Sequence, residues 1–293
     1  MAKKKRSLLL SIVKIIGIML AIVLVLAVSG YCYLKYILGF DVFDVVNKIK
    51  LLNQDVSESS LISNPYNNED ASNCLNAIFG ENTIYAENGD GEWIFDLEEY
   101  FAASLLDGAK ITDTQLCALA DIFASKALKG TDYEDFAKYF EIKQIKFSNL
   151  VVQDALTKAN VNVVVKFNLK EMKESIGKEN NVLIDFILNY IPEALYFTDD
   201  FTITVSNSDY SYSINSNYFV INQISKEQSQ GIIKLYKKFF GGKESIADEI
   251  HDLILNLLFG SETTDGLLSS INGFSGFNFV EETNTIYMAI KKD

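Results

Sequence analysis

The sequence predicts an α+β protein: an N-terminal transmembrane helix, then an exported domain in which a curved antiparallel sheet packs with amphipathic helices. Three observations predict it. Ile15–Leu34 (IIGIMLAIVLVLAVSGYCYL) is an uncharged apolar run. Apolar residues alternate at Val161, Val163, Val165, Phe167 and Leu169. Two segments of the form I-[TS]-x-x-Q, from Ile111 and from Ile224, each open a stretch with helical spacing.

An apolar run of about 20 residues is long enough to cross a hydrocarbon core as a helix, the form that pairs its own backbone groups in lipid. Lys3, Lys4, Lys5, Arg6 and Lys14 precede the run, and every acidic residue follows it, from Asp41 onward. Basic flanks stay in the cytoplasm. The expected organisation is a cytoplasmic basic segment (1–14), a signal anchor (15–36), a juxtamembrane helix (37–56) and an extracytoplasmic α+β domain (57–293). The expected location is the cell membrane, single-pass, with the N-terminus cytoplasmic. A cleaved signal peptide would share the charge pattern, but its apolar core runs only about 7–15 residues. Large residues between Tyr31 and Tyr36 also make a poor cleavage site. Lipidation at Cys32 would need a small residue where Tyr31 stands.

Beyond Lys35 there remain 20 basic residues against 39 acidic ones, a net charge near −19 compared with −13 for the whole chain. That excess argues against nucleic acid and polyanionic polymers as partners. Twenty Phe and 15 Tyr in a chain that is 48% hydrophobic supply a packed core. Cys74 and Cys117 allow one disulfide or two buried free thiols, and the helical setting of Cys117 favours the thiols. Two prolines and many Asn, Ile, Lys and Tyr suit an AT-rich bacterial genome.

Phe40–Leu52 has helical spacing at Val42, Val45, Val46, Ile49 and Leu52. Acids on its polar face favour a helix packed on the domain over one lying in a membrane interface. Residues 57–70 read as a loop and 71–79 as a short helix. Two apolar-aromatic runs around Asn88-Gly89-Asp90-Gly91 read as a hairpin, because glycine supplies a tight turn's positive φ. A calcium loop through Asn88, Asp90 and Glu92 would lack the further spaced acids and the closing bidentate Glu. Residues 98–106 read as helix. In 111–130, Thr112 and Gln115 form a capping box, Ile111 staples onto Leu116, and Gly130 ends the helix.

Strands are expected over 142–152 and 161–169, the second with one dry face and Val164 as its exception. Helices follow at 170–176 and 181–191, the latter stopped by Pro192. Phe201, Ile203 and Val205 mark a third strand; Tyr210, Tyr212 and Ile214 mark a fourth, extended through 218–222 after a break or bulge. Ser225 and Gln228 form the second capping box, and Gly241-Gly242 close its helix. The two similar segments, from about 111 and 224, suggest either an internal duplication or two ordinary caps. Residues 244–259 form an amphipathic helix, and a hairpin with Ile286, Met288 and Ile290 alternating ends the chain.

The one histidine, His251, sits at the edge of that helix's apolar face, with Asp248 and Asp252 on the same helix. Any Ser-His-Asp or Cys-His chemistry would have to use it. G-x-S-x-G, H-E-x-x-H, C-x-x-C and P-loop patterns are missing, and His and Cys are too few for a usual zinc site. No catalytic residue, metal ligand or cofactor is therefore assigned.

An I-T-x-x-Q-L helix start (Ile111–Leu116), then β-rich segments, then a second such helix after a Tyr/Asn-rich strand, makes a recognisable layout. It is similar to small membrane-anchored bacterial relatives of the tubular lipid-binding (TULIP-like) proteins, over about residues 105–293. The resemblance implies a curved sheet around a long helix, with acyl chains held in the groove. The acidic exterior departs from what docking on anionic membranes favours. The residues of such a groove, or of a plain core, are Val161, Val163, Val165, Phe167, Phe201, Ile203 and Val205 against Leu116, Leu119 and Phe123. The expected function is a non-catalytic, membrane-tethered domain that binds lipid or another apolar ligand. The alternatives are a structural or protein-partner-binding ectodomain of the bacterial envelope and, more remotely, a hydrolase of unrecognised type.

Overall fold

The computed structural model describes residues 35–36, 41–52, 56–81, 83–127, 139–170, 192–222, 224–232, 246–260 and 266–293. The chain divides into two compact units, 1–51 and 52–293. Helix α1 (Val42–Leu52), all but its last residue in the first unit, begins where Asp41 Oδ1 accepts from the Phe43 N–H at 3.1 Å, and Lys35 pairs with Asp41 at 2.8 Å. The expected membrane anchor needs correction. Among the described residues no helix is long and apolar enough to cross a membrane. The span expected at 15–36 lies outside those residues, except for Lys35 and Tyr36. The transmembrane part of the fold class, the signal-anchor reading and the single-pass location are withdrawn on that finding.

The second unit is α+β with antiparallel sheets. Its main sheet is a four-stranded meander, β4 (Phe140–Gln153), β5 (Leu156–Asn168), β6 (Ala194–Ser206) and β7 (Tyr212–Ile221), paired in chain order. In β5 and β6 the period-2 pattern shows which face each strand buries. Along β5, Ala159, Val161, Val163, Val165 and Phe167 are buried on one face. They pair across with Ile203, Phe201, Asp199, Phe197 and Leu195 of β6. The β4–β5 turn is the two residues Asp154-Ala155, and Asp154 takes the positive φ (44°) such turns require. The break expected in the fourth strand is a bulge at Asn217, which has no partner between the pairs Asp200–Tyr218 and Phe201–Ser216.

The dry face is covered by elements from distant parts of the chain. A second sheet, β3 (Lys110–Ile111), β9 (Thr285–Lys292) and β8 (Phe274–Glu282), packs there through an edge-to-face contact of Phe279 with Phe147. Helix α6 (Ile246–Phe259) packs there too, its Phe259 ring against Phe277 and Tyr212. Helix α5 (Asp113–Ala127) runs along β4, with α3 (Asn68–Phe79) against it. Both predicted capping boxes form. The Thr112 N–H donates to Gln115 Oε1 and the Gln115 N–H to Thr112 Oγ1; Ser225 and Gln228 repeat the exchange. Asn67 adds an unforeseen third box, with Asp70, at the start of α3.

The opposite face explains Val164. Residues 57–64, within the expected loop 57–70, carry the short helix α2 (Glu58–Leu61) and cross this face as a strap. Glu58 Oε1 accepts from Lys166 Nζ (2.8 Å) and the Tyr196 hydroxyl (2.5 Å). At the other end, Gln144 Oε1 accepts from the Ser63 and Asn64 N–H groups at 2.8 and 3.1 Å. Val164 lies between these anchors and is fully buried.

The hairpin β1 (Tyr85–Glu87)–β2 (Trp93–Phe95) forms as predicted. Its Asn88 Oδ1 accepts from the Asp90 and Glu92 N–H groups, so Asn88 serves the turn. Helix α4 (Leu97–Ala102) ends before the 106 expected. Tertiary pairing takes the chain away, since the Leu105 N–H donates to Asn272 and the Leu106 N–H to Ile78. Of the helix expected at 170–176 only Lys170 is described; its remainder, the helix expected at 181–191 and the terminators Gly130 and Gly241-Gly242 lie outside the described residues.

Candidate functional site

All ten residues assigned from sequence to a core or groove are buried, none more than 7% exposed. The register brings seven of them onto one sheet face, with Val161 directly opposite Phe201. Leu116, Leu119 and Phe123 lie on α5. Phe123 meets the rings of Tyr100 (5.7 Å) and Phe101 (6.4 Å), and α5 lies along the edge strand β4. The element that touches Phe201 is α6, whose His251 ring meets it edge-on at 5.6 Å.

His251 leads to a residue that pattern reading missed. Its Nδ1 lies 2.5 Å from Asp199 Oδ2. Asp199 occupies an inward position of β6, between Phe197 and Phe201, opposite Val163 on β5 and Phe219 on β7. Its side chain is 1% exposed, against 18% for His251. The other carboxylate oxygen, Oδ1, is fully buried and has no hydrogen-bond partner among the described residues. Thr198 Oγ1, which points to the strap side, shares that condition. A hydroxyl left unpaired costs far less than a carboxylate. A signal was present in the sequence: in F-T-D-D-F-T-I-T-V, Asp199 falls on the apolar parity of residues 197 to 205. The third strand as read from Phe201, Ile203 and Val205 begins after that position.

A second constellation closes the outer edge of β4. Asp113, Cys117 and Asp121 recur every four residues along α5 and so share one face. Asp121 Oδ1 accepts from the Ile142 N–H at 2.6 Å, and Asp113 Oδ2 from the Phe147 N–H at 3.2 Å. The Cys117 thiol points at the Ile142 carbonyl (3.7 Å). Burial holds both carboxyls above the usual carboxylate range, and backbone N–H bonds partly offset it. Burial likewise raises the Cys117 and Cys74 thiols, and both are free.

Among the described residues no group of three or more His, Cys, Asp or Glu side chains could hold a metal. No family model, curated protein or solved structure matches this chain.

Proposed function

We propose that the second unit is a non-catalytic binding domain that takes an apolar ligand between the dry face of β5–β6 and helix α6. One observation carries this reading: a carboxylate is buried on the sheet among Val163, Phe197, Phe201 and Phe219 with one oxygen unpaired. Leaving a buried polar oxygen without a partner costs about 1–3 kcal/mol, more for a charged group, and hydrophobic replacement of buried polar pairs is often stabilising. A side chain that breaks the local rules at such cost marks a functional position more readily than a filler one. The test is mass spectrometry of an organic extract of the full-length protein purified without detergent. An apolar compound near one equivalent is expected, and much less from Asp199→Leu. Equal extracts from both, or none above an unrelated control, would overturn the reading.

A specific feature favours a second reading, that of a protein-partner-binding domain. The main sheet has two edges, and on the β4 edge Asp121 and Asp113 hold the Ile142 and Phe147 N–H groups. On β7, Ser229 Oγ accepts from the Ile221 N–H and Lys226 donates to the Asn217 carbonyl. Among the described residues, no hydrogen bond reaches the outer backbone of Tyr212–Ser216, which carries no charge. An uncharged open edge can accept an extended segment of another protein as a further strand. A photo-cross-linker at Asn215 is expected to trap one partner; a trapping pattern unchanged by Ser213→Pro would dismiss this reading.

A further inference from the structure

We infer that the ligand's polar end is a hydrogen-bond donor, a hydroxyl or a protonated amine, and that carboxylate-headed ligands are rejected. The inference rests on the apolar-ligand reading above and adds the chemistry of the ligand's head. Asp199 Oδ2 is engaged by His251, so the remaining valence of the buried carboxylate is Oδ1. An ionised carboxylate oxygen only accepts. The strand neighbours Val163, Phe197, Phe201 and Phe219 have no polar side-chain atom to offer it. A donor arriving at Oδ1 satisfies a group otherwise left bare, and the apolar remainder of the same molecule lies against those neighbours. A second carboxylate there would face Asp199 at short range in a medium of low dielectric, where like charges repel strongly. The acidic chain, −13 overall, works in the same direction. His251, the more exposed member of the pair, marks the side from which the head approaches.

The experiment displaces the neutral fluorescent probe N-phenyl-1-naphthylamine from the full-length protein with dodecanol, dodecylamine and dodecanoate, which share one tail. A charge-assisted hydrogen bond gives a preference on the order of 10- to 100-fold for the donor heads over dodecanoate. The ratio of dodecanol to dodecylamine then tells a neutral donor from a cation. Asp199→Leu is expected to reduce the preference over dodecanoate to about 3-fold or less, since donor and repulsion both lose their target. Asp199→Asn, nearly isosteric, controls for loss of fold and is expected to relieve the rejection of dodecanoate. Dodecanoate binding as tightly as dodecanol to the unaltered protein, or a preference unchanged in both variants, would overturn the inference while leaving the apolar-ligand reading intact. Failure of all three compounds to displace the probe would overturn both.

Discussion

The carboxylate of Asp121 accepts the N–H of Ile142 at 2.6 Å and so caps an edge strand from a neighbouring helix. Its other oxygen takes the Tyr66 hydroxyl at 2.7 Å, tying the 62–67 segment to the same point. Asp121→Ala leaves a strand N–H and a half-buried phenol without acceptors, and is expected to cost about 2–4 kcal/mol. Asp121→Asn keeps one acceptor and should cost less. Urea unfolding of the two variants checks the order; equal losses would mean that the edge bond contributes nothing particular.

The strap has its own pH signature. Hydrogen bonds from Lys166 and Tyr196, in that order, hold the Glu58 carboxyl below its ordinary value of 4.5. A lowered folded pKa contributes stability that is present above the unfolded value and lost as pH falls through the folded one. The stability gap between the unaltered protein and Glu58→Gln should therefore be widest above about pH 5 and close on acidification below 4.5. A gap independent of pH would exclude Glu58 as the strap's anchor.

The Asp199–His251 pair predicts opposite outcomes for single and double removal. His251→Leu leaves the buried carboxylate without its partner and is expected to cost about 3–5 kcal/mol. The double variant Asp199→Leu/His251→Leu removes both desolvation costs and is expected to match or exceed the parent by up to about 4 kcal/mol. Thermal unfolding of the ligand-free proteins measures both. A double variant as unstable as the single would show that the pair is held for packing.

Cys74 and Cys117 are buried, free, and have thiols pushed above their ordinary range by desolvation. Iodoacetamide should leave both unmodified in the native protein and alkylate both in guanidinium, read by peptide mapping. Native modification of either would contradict its placement in the α3–α5 layer.

Hydrogen exchange distinguishes the sheet's two edges. The Ile142 and Phe147 amides, capped by Asp121 and Asp113, should exchange slowly with the core. The outer amides of Tyr212–Ser216 should exchange at least about 100-fold faster in the isolated protein. Comparable protection at both edges would remove the basis for strand addition at β7.

What the sequence determined by itself is local. Alternation set the buried face of β5 and of β6 from Phe201 onward, because side chains of a strand point to opposite faces in turn. Ser or Thr three residues before Gln marked two helix starts, because those side chains reach only their own first turn. The tertiary structure decided which polar groups go inside and who satisfies them. His251 meets an aspartate 52 positions away, Glu58 meets Lys166 at a separation of 108, and Gln144 holds Ser63 at 81. Such pairs leave no period in the chain, since their spacing is set by how the strap, the helix and the sheet come to lie together. Burial then turns a misplaced-looking Asp199 in an apolar row into the most costly side chain of the layer, and so into its most informative one.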